Sequence, residues 1–230
     1  ARPMQYEFDF DSLRDYWPSF LHGALMTLEM TLVATVAGLA IGVVCAIGRR
    51  GRSRWIAGLC GAYVEIVRNT PYLIQIFFLF FGLSSIGLRL PIFAAAVLTM
   101  VINVGAYTAE IVRAGMDTVP PGQVEAAQAL GLSTPQIYWD VILRPALERV
   151  YPALTSQFVL MMLSSSVTSQ ISAEELTAIA NTIQSDTFRP FETYIVVALL
   201  YLAMALLLKF GFHLFGQAIF PRRRRLGTPL

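Results

Sequence analysis

Two groups of polar residues in this chain have types and spacing suited to chemistry that breaks no covalent bond. The first is Glu125-Ala126-Ala127-Gln128-Ala129-Leu130-Gly131-Leu132, at the centre of a charged island between Arg113 and Arg149. Alanine, leucine, glutamate and glutamine favour helix. Pro120-Pro121 supply a start and Gly131 a stop. Such a helix offers the small side chains of Ala126, Ala127 and Ala129 for close approach and the Glu125 carboxylate for register. Leu130 and Leu132 would serve as apolar anchors, and Gly131 can take the positive φ of a sharp turn. This is the chemistry of docking. A solvated interfacial helix without a partner would account for the composition alone.

The second group lies in apolar segments. Thr99, Asn103 and Tyr107 are spaced i, i+4, i+8 and share one helical face. Ser164, Ser165, Ser166, Thr168 and Ser169 make a run of hydroxyls followed by Gln170. Polar groups within a membrane usually face a protein interior or a water-filled cavity. Hydroxyls and amides can bond either a carboxylate or an ammonium without fixing a charge. They are therefore candidates to line a path for a small polar solute. Helix packing competes with that reading, and for each serine alone it is the simpler one.

Glu65 with Arg68, and Glu110 with Arg113, are spaced i, i+3 and can neutralise each other. They read as structural or gating pairs rather than solute ligands. His22 and His213 stand near segment ends, away from cysteines and carboxylate clusters, so no metal site is expected and no cofactor is implied. The sequence contains no G-x-x-x-x-G-K-[ST] phosphate loop and no Ser/His/Asp or Cys/His constellation. A non-catalytic role is expected, with any driving energy supplied by another subunit.

The elements that position these residues are membrane spans. The 230 residues are 56% hydrophobic and 14% charged, where soluble domains carry about 25% charged residues. Five spans are expected: Phe20 to Ile47, Ala57 to Leu83, Ile92 to Val112, Val150 to Val167 and Tyr194 to Phe215. Glu65, Arg68 and Asn69 interrupt the second, and the fourth is short. Tyr16, Trp17, Trp55 and Tyr194 fall near span ends, where aromatic rings favour the interface. Eleven arginines (positions 49, 50, 52, 54, 113, 144, 149 and 222–225) lie on one side of this scheme, and four (2, 14, 89 and 189) on the other. The positive-inside rule then places the island, about 114–149, and the C-terminus in the cytoplasm and the N-terminus outside.

Residues 1–18 form an acidic external segment, 19–220 a single membrane domain and 221–230 a basic tail that anchors to anionic lipid. The acidic start is the reverse of a cleavable signal, so the first span is expected to direct its own insertion. Cys45 and Cys60 read as small buried hydrophobes rather than a disulfide. Glu29 lies in the first span with no evident partner.

The order Glu125-Ala126-Ala127, three residues, Gly131, nine residues, Val141-Ile142-Leu143 resembles the cytoplasmic loop of the membrane subunits of binding-protein-dependent ABC importers. Arg68-Asn69-Thr70-Pro71-Tyr72-Leu73-Ile74-Gln75 and Ala106-Tyr107-Thr108-Ala109-Glu110-Ile111-Val112-Arg113-Ala114-Gly115 narrow the resemblance to the polar amino acid permeases. Pro121-Gly122-Gln123 and Glu175-Leu176-Thr177 also fit, and the likeness runs from Phe20 to Phe220. Asn69 replaces a usual glycine, Arg144 a usual proline, and Ser164 a usual lysine.

The resemblance implies an all-α, polytopic fold of five transmembrane helices with a cytoplasmic coupling helix, the type I ABC importer permease fold. It implies import of a polar amino acid across the cytoplasmic (inner) membrane of a prokaryote. The partners implied are two cytoplasmic ATPases, a second permease subunit, identical or related, and an external solute-binding protein. Closure of the ATPases would move the coupling helix as a lever and turn the path outward. The binding protein would meet the loops from Ser84 to Leu90 and from Ser172 to Glu192. The other class considered is a self-contained secondary transporter or channel. It would require a coupled-ion site, usually with intramembrane carboxylates or an inverted repeat, and neither is evident in the sequence.

Overall fold

A computed structural model describes residues 6–51 and 53–220. Arg2, Arg52 and the basic tail at 221–230 lie outside the described residues. Eight helical elements follow one another: α1 (Trp17–Arg50), α2 (Arg54–Arg68), α3 (Tyr72–Ser85), α4 (Ile92–Asp117), α5 (Pro121–Ala129), α6 (Thr134–Ile171), α7 (Leu176–Thr187) and α8 (Pro190–Ile219). No strand occurs among the described residues. Helices α1, α4, α6 and α8 are long and apolar enough to cross a membrane, and the bent pair α2–α3 makes a fifth crossing if taken as one span.

Two long helices form the centre. Along α1, Thr27, Thr31, Ala34, Thr35, Gly38, Gly42 and Ala46 are buried, a stripe of small residues at helical spacing. They face Ala95, Thr99, Val104, Thr108 and Ala109 on α4, which are also buried. A Cβ on Gly38 would lie 2.5 Å from Val104 Cγ1, and one on Gly42 would lie 2.5 Å from Thr108 Cβ. The two backbones therefore approach as closely as glycine permits. Lipid tails supply no hydrophobic force between helices, so contact of this kind is what holds them together.

The second expected span is not a straight helix. Helices α2 and α3 meet at 112° across Asn69-Thr70-Pro71. Pro71 has no N–H to continue the ladder and holds the preceding residue away from helical geometry. Side chains add bonds to the carbonyls around the break. Asn69 Nδ2 donates to Glu65 O (2.8 Å), Thr70 Oγ1 to Ile66 O (2.7 Å), and Gln75 Nε2 to both Val67 O (2.7 Å) and Thr70 O (2.8 Å). The same pair is tied to α4 by Tyr63, whose hydroxyl donates to Ile102 O at 2.7 Å.

The fourth span also differs from its sequence outline. It is the end of a 38-residue helix that begins inside the polar island. A π-helical stretch at Ile137–Leu143 carries the chain to Arg144-Pro145, so the proline stands in the first turn of the α-helical part. At the far end α6 tightens into a 3-10 stretch, Ser165–Ile171.

Helix α7 packs beside α1. The buried Glu175 side chain caps it by accepting from Ala178 N (2.9 Å), and Tyr201 on α8 donates to the same carboxylate (2.6 Å). The Leu176 N–H reaches Thr27 Oγ1 on α1 (3.2 Å). The stretch before α1 is strapped to the start of α8. Glu192, fully buried, accepts from Tyr6 Oη (2.5 Å) and from the Asp9 N–H (2.9 Å). Glu29 is exposed on α1.

The α1–α4 seam generates a test. Gly42→Leu is expected to cost about 1–3 kcal/mol in overpacking strain and to lower the melting temperature of the detergent-solubilised protein. Gly58→Leu is the control, since a Cβ there meets nothing within 4 Å. Equal melting of the two variants would show that the seam does not hold the bundle.

Candidate functional site

The α2–α3 break opens a cleft of about 500 Å³ between α4 and α6. Arg68, Asn69, Thr70, Pro71 and Tyr72 line one wall, Asn103 and Tyr107 a second, and Gln157, Leu160, Met161 and Ser164 a third. Each wall follows from local structure. The break exposes the end of α2. Asn103 and Tyr107 stand one turn apart on α4. Gln157 and Ser164 stand two turns apart on α6.

The electrostatics of the cleft come mostly from Arg68. Its guanidinium lies 5.5 Å above the Tyr107 ring centroid, an attractive arrangement of cation and aromatic face. Its nearest carboxylate is Glu110, at 3.9 Å. Glu110 is already engaged by Arg49 Nη1 at 2.7 Å and by the Arg113 guanidinium. Arg113 also meets Asp117 at 2.7 Å, and Arg50 meets Asp117 at 3.2 Å. The ends of α1, α2 and α4 are thus gathered around two carboxylates. Arg68 is the most loosely held cation of this group and the one that borders the cleft.

The expected Glu110–Arg113 pair is present, whereas the expected Glu65–Arg68 pair is not. Arg68 closes α2 and turns toward α4, while Glu65 accepts from Asn69 Nδ2 at 3.1 Å.

Three of the nine path candidates line the cleft: Asn103, Tyr107 and Ser164; Ser169 donates to Ser166 O of its own turn (2.7 Å). Thr99 is fully buried and donates to Ala95 O of its own helix (2.8 Å). Ser165 and Thr168 are fully buried and donate to Met162 O and Ser165 O, each at 2.7 Å. Ser166 donates to Leu163 O (2.8 Å), and Gln170 is exposed beyond the cleft. The hydroxyls past Ser164 are spent on their own turn because the helix tightens there, bringing carbonyls three residues back within reach.

Sequence reasoning left Tyr72, Gln75 and Gln157 out of the path. Gln75 contacts the cleft through Asn103, whose Nδ2 donates to Gln75 Oε1 at 3.0 Å. A signal was present for both glutamines. Gln75 is an isolated amide in the apolar stretch Tyr72 to Leu83, and Gln157 precedes Ser164 by seven residues on α6.

The predicted docking segment forms a short helix with one exposed face. Helix α5 ends as expected at Gly131, with φ +75°, the Leu132 N–H on Ala127 O (3.1 Å) and the Gly131 N–H on Gln128 O (2.9 Å). This paired C-terminal cap places a glycine in the left-handed region. Ser133 then caps α6 reciprocally with Gln136. Glu125, Ala126 and Ala129 are exposed, and Leu130 is 80% exposed. Ala127 and Leu132 differ from expectation: they pack inward against the core and hold α5 to the start of α6. A groove of about 400 Å³ remains between α5 and α6, bordered by Gln123, Ala126, Leu130, Asp140 and Pro145. Trp139, 64% exposed, stands on the π-helical stretch of the same island. The island is closed at its base, where Arg149 Nη1 donates to Thr118 O at 3.0 Å.

A family model described as the inner membrane component of binding-protein-dependent transport systems matches residues 38–225. The nopaline transport system permease protein NocM of Agrobacterium fabrum is 33% identical over 205 residues, covering 84% of this chain and 85% of the relative. The glutamine transport system permease protein GlnP of Escherichia coli is 35% identical over 207 residues, covering 89% and 94%. Among solved structures, a chain from a crystal structure of an amino acid ABC transporter with histidines superposes with a TM-score of 0.84 at 37% identity. That match covers 93% of this chain and all of the other. The fold is thus that of the ABC importer permeases, the type I permease fold. This chain is a multi-pass inner-membrane permease subunit of a binding-protein-dependent ABC transport system, in the polar amino acid permease family.

Proposed function

We propose that this subunit contributes one wall of the membrane path of an ATP-driven importer and carries polar amino acids inward. The observation that carries the reading is the cleft. Within a bundle of apolar helices it gathers a loosely paired guanidinium at Arg68 with the hydroxyls and amides of Asn103, Tyr107, Gln157 and Ser164. An α-amino acid brings a carboxylate and an ammonium together. A cation beside neutral acceptors complements both ends without burying an unpaired charge. The names of the relatives, which speak of glutamine, nopaline and an amino acid, support the same solute class.

A pair of cytoplasmic ATPases would grip α5. The exposed faces of Glu125, Ala126, Ala129 and Leu130 allow close approach, and the inward Ala127 and Leu132 brace the helix from behind. A second permease subunit, identical or related, would face the open side of the cleft, and a solute-binding protein would dock outside. The arginine count supports an external N-terminus and a cytoplasmic C-terminus. ATP hydrolysis would reside in the partner, and this subunit would transmit the motion.

Two measurements on the reconstituted complex test this. Glu125→Arg, or Gly131→Leu at its positive φ, is expected to leave the chain inserted but to raise the ATP hydrolysed per solute moved about tenfold. Such a factor matches loss of one charge-assisted hydrogen bond or of a left-handed cap. Wild-type stoichiometry in both variants would refute the docking role. Asn103→Leu is expected to reduce uptake, or change solute preference, with the ATPase still bound after detergent extraction. Unchanged uptake of every transported amino acid would remove Asn103 from the path.

A further inference from the structure

We infer that Gln75 is a positioning residue: by clasping the α2–α3 break it dictates which end of the Asn103 amide faces the cleft, and so which way round the solute lies. This rests on the import reading above and gives it a polarity.

A carboxamide has a donating end and an accepting end. The break leaves the carbonyls of Val67 and Thr70 beside Gln75, at 2.7 and 2.8 Å. A carbonyl oxygen can only accept, so both contacts require the Gln75 nitrogen. Gln75 Oε1 is thereby turned toward Asn103, 3.0 Å away. An oxygen there admits only a donor, so Asn103 must offer Nδ2. Its own oxygen is left on the other side of the amide plane. Asn103 borders the cleft, and no described residue donates to its Oδ1.

The consequence is an acceptor opposite a cation. Arg68, with its long 3.9 Å contact to Glu110, remains able to take a carboxylate. Asn103 Oδ1 can take an ammonium proton but cannot donate to a carboxylate. The solute class that matches is an α-amino acid zwitterion, carboxylate toward Arg68 and ammonium toward Asn103. Without Gln75 nothing selects one end of the Asn103 amide. The flipped form would point N–H groups at the ammonium.

The test uses the whole complex in proteoliposomes, with the same binding protein throughout and a panel of radiolabelled proteinogenic amino acids. Gln75→Leu is expected to lower uptake about tenfold, the scale of one hydrogen bond to a charged group. Adding Asn103→Asp to Gln75→Leu is expected to restore most of the loss, because a carboxylate presents an oxygen whichever way it turns. Asn103→Asp alone is expected to be poorer than the double variant, since Gln75 Oε1 would then face a carboxylate oxygen. A Gln75 that merely braced the break would not be rescued at position 103. Unchanged uptake in Gln75→Leu, or a double variant no better than Gln75→Leu, would overturn the inference. An Asn103→Leu variant equal to wild type would likewise overturn it, whereas no uptake of any amino acid by the wild type would instead strike the import reading itself.

Discussion

A backbone carbonyl in hydrocarbon has no water to turn to, and each one left unmatched costs several kcal/mol. The break between α2 and α3 is where this chain meets that constraint most severely. Helix bonding stops at Asn69-Thr70-Pro71, and the side chains of Asn69, Thr70 and Gln75 bond the last carbonyls of α2 and that of Thr70. Everything that gives the cleft its character depends on this repair. It exposes the end of α2, sets Arg68 beside Tyr107, and spends the nitrogen of Gln75 so that its oxygen meets Asn103. A straight second helix would close the space and leave Asn103 as one more buried polar residue at a helix interface.

The repair is useful only against a firm background, which the seam between α1 and α4 provides. Backbones brought together by Gly38 and Gly42 leave no slack for relative sliding. The ion cluster extends the connection to the C-terminal ends of both helices by joining Arg49 and Arg113 through Glu110, and Arg50 and Arg113 through Asp117. These groups are partly exposed, so each pair contributes modestly to stability. Their geometry matters more, because it ties three helix ends together and leaves Arg68 the least committed member.

Most of the architecture was legible in the sequence because the relevant signals are local. Apolar run length marked α1, α4 and α8, and the Pro-Pro start and Gly131 stop bracketed α5. Three features were not legible. Run length cannot show that Ala57 to Leu83 folds back on itself, since the bend depends on Gln75 finding carbonyls that exist only once Pro71 has broken the helix. The hydroxyl run after Val159 pointed to the path, yet all but Ser164 of its named candidates fell elsewhere. A switch from α to 3-10 geometry at Ser165 changes which residues share a face, and composition does not encode that switch. The i, i+3 rule likewise predicted Glu65–Arg68 but not that Arg68, as the last residue of α2, would be drawn across to α4.

One long helix joins the polar island to the cleft. Helix α6 carries Trp139 in the polar island and Gln157 with Ser164 in the cleft, with no loop between them. Pro152 interrupts its hydrogen-bond ladder between the two, so a turning force on the island would meet a softened joint before it reached the cleft. The π-helical stretch holds a surplus residue compared with an α turn. Were that surplus to migrate past Gln157, the side chains it crossed would swing by about 100°, withdrawing one amide from the solute and presenting its neighbour instead.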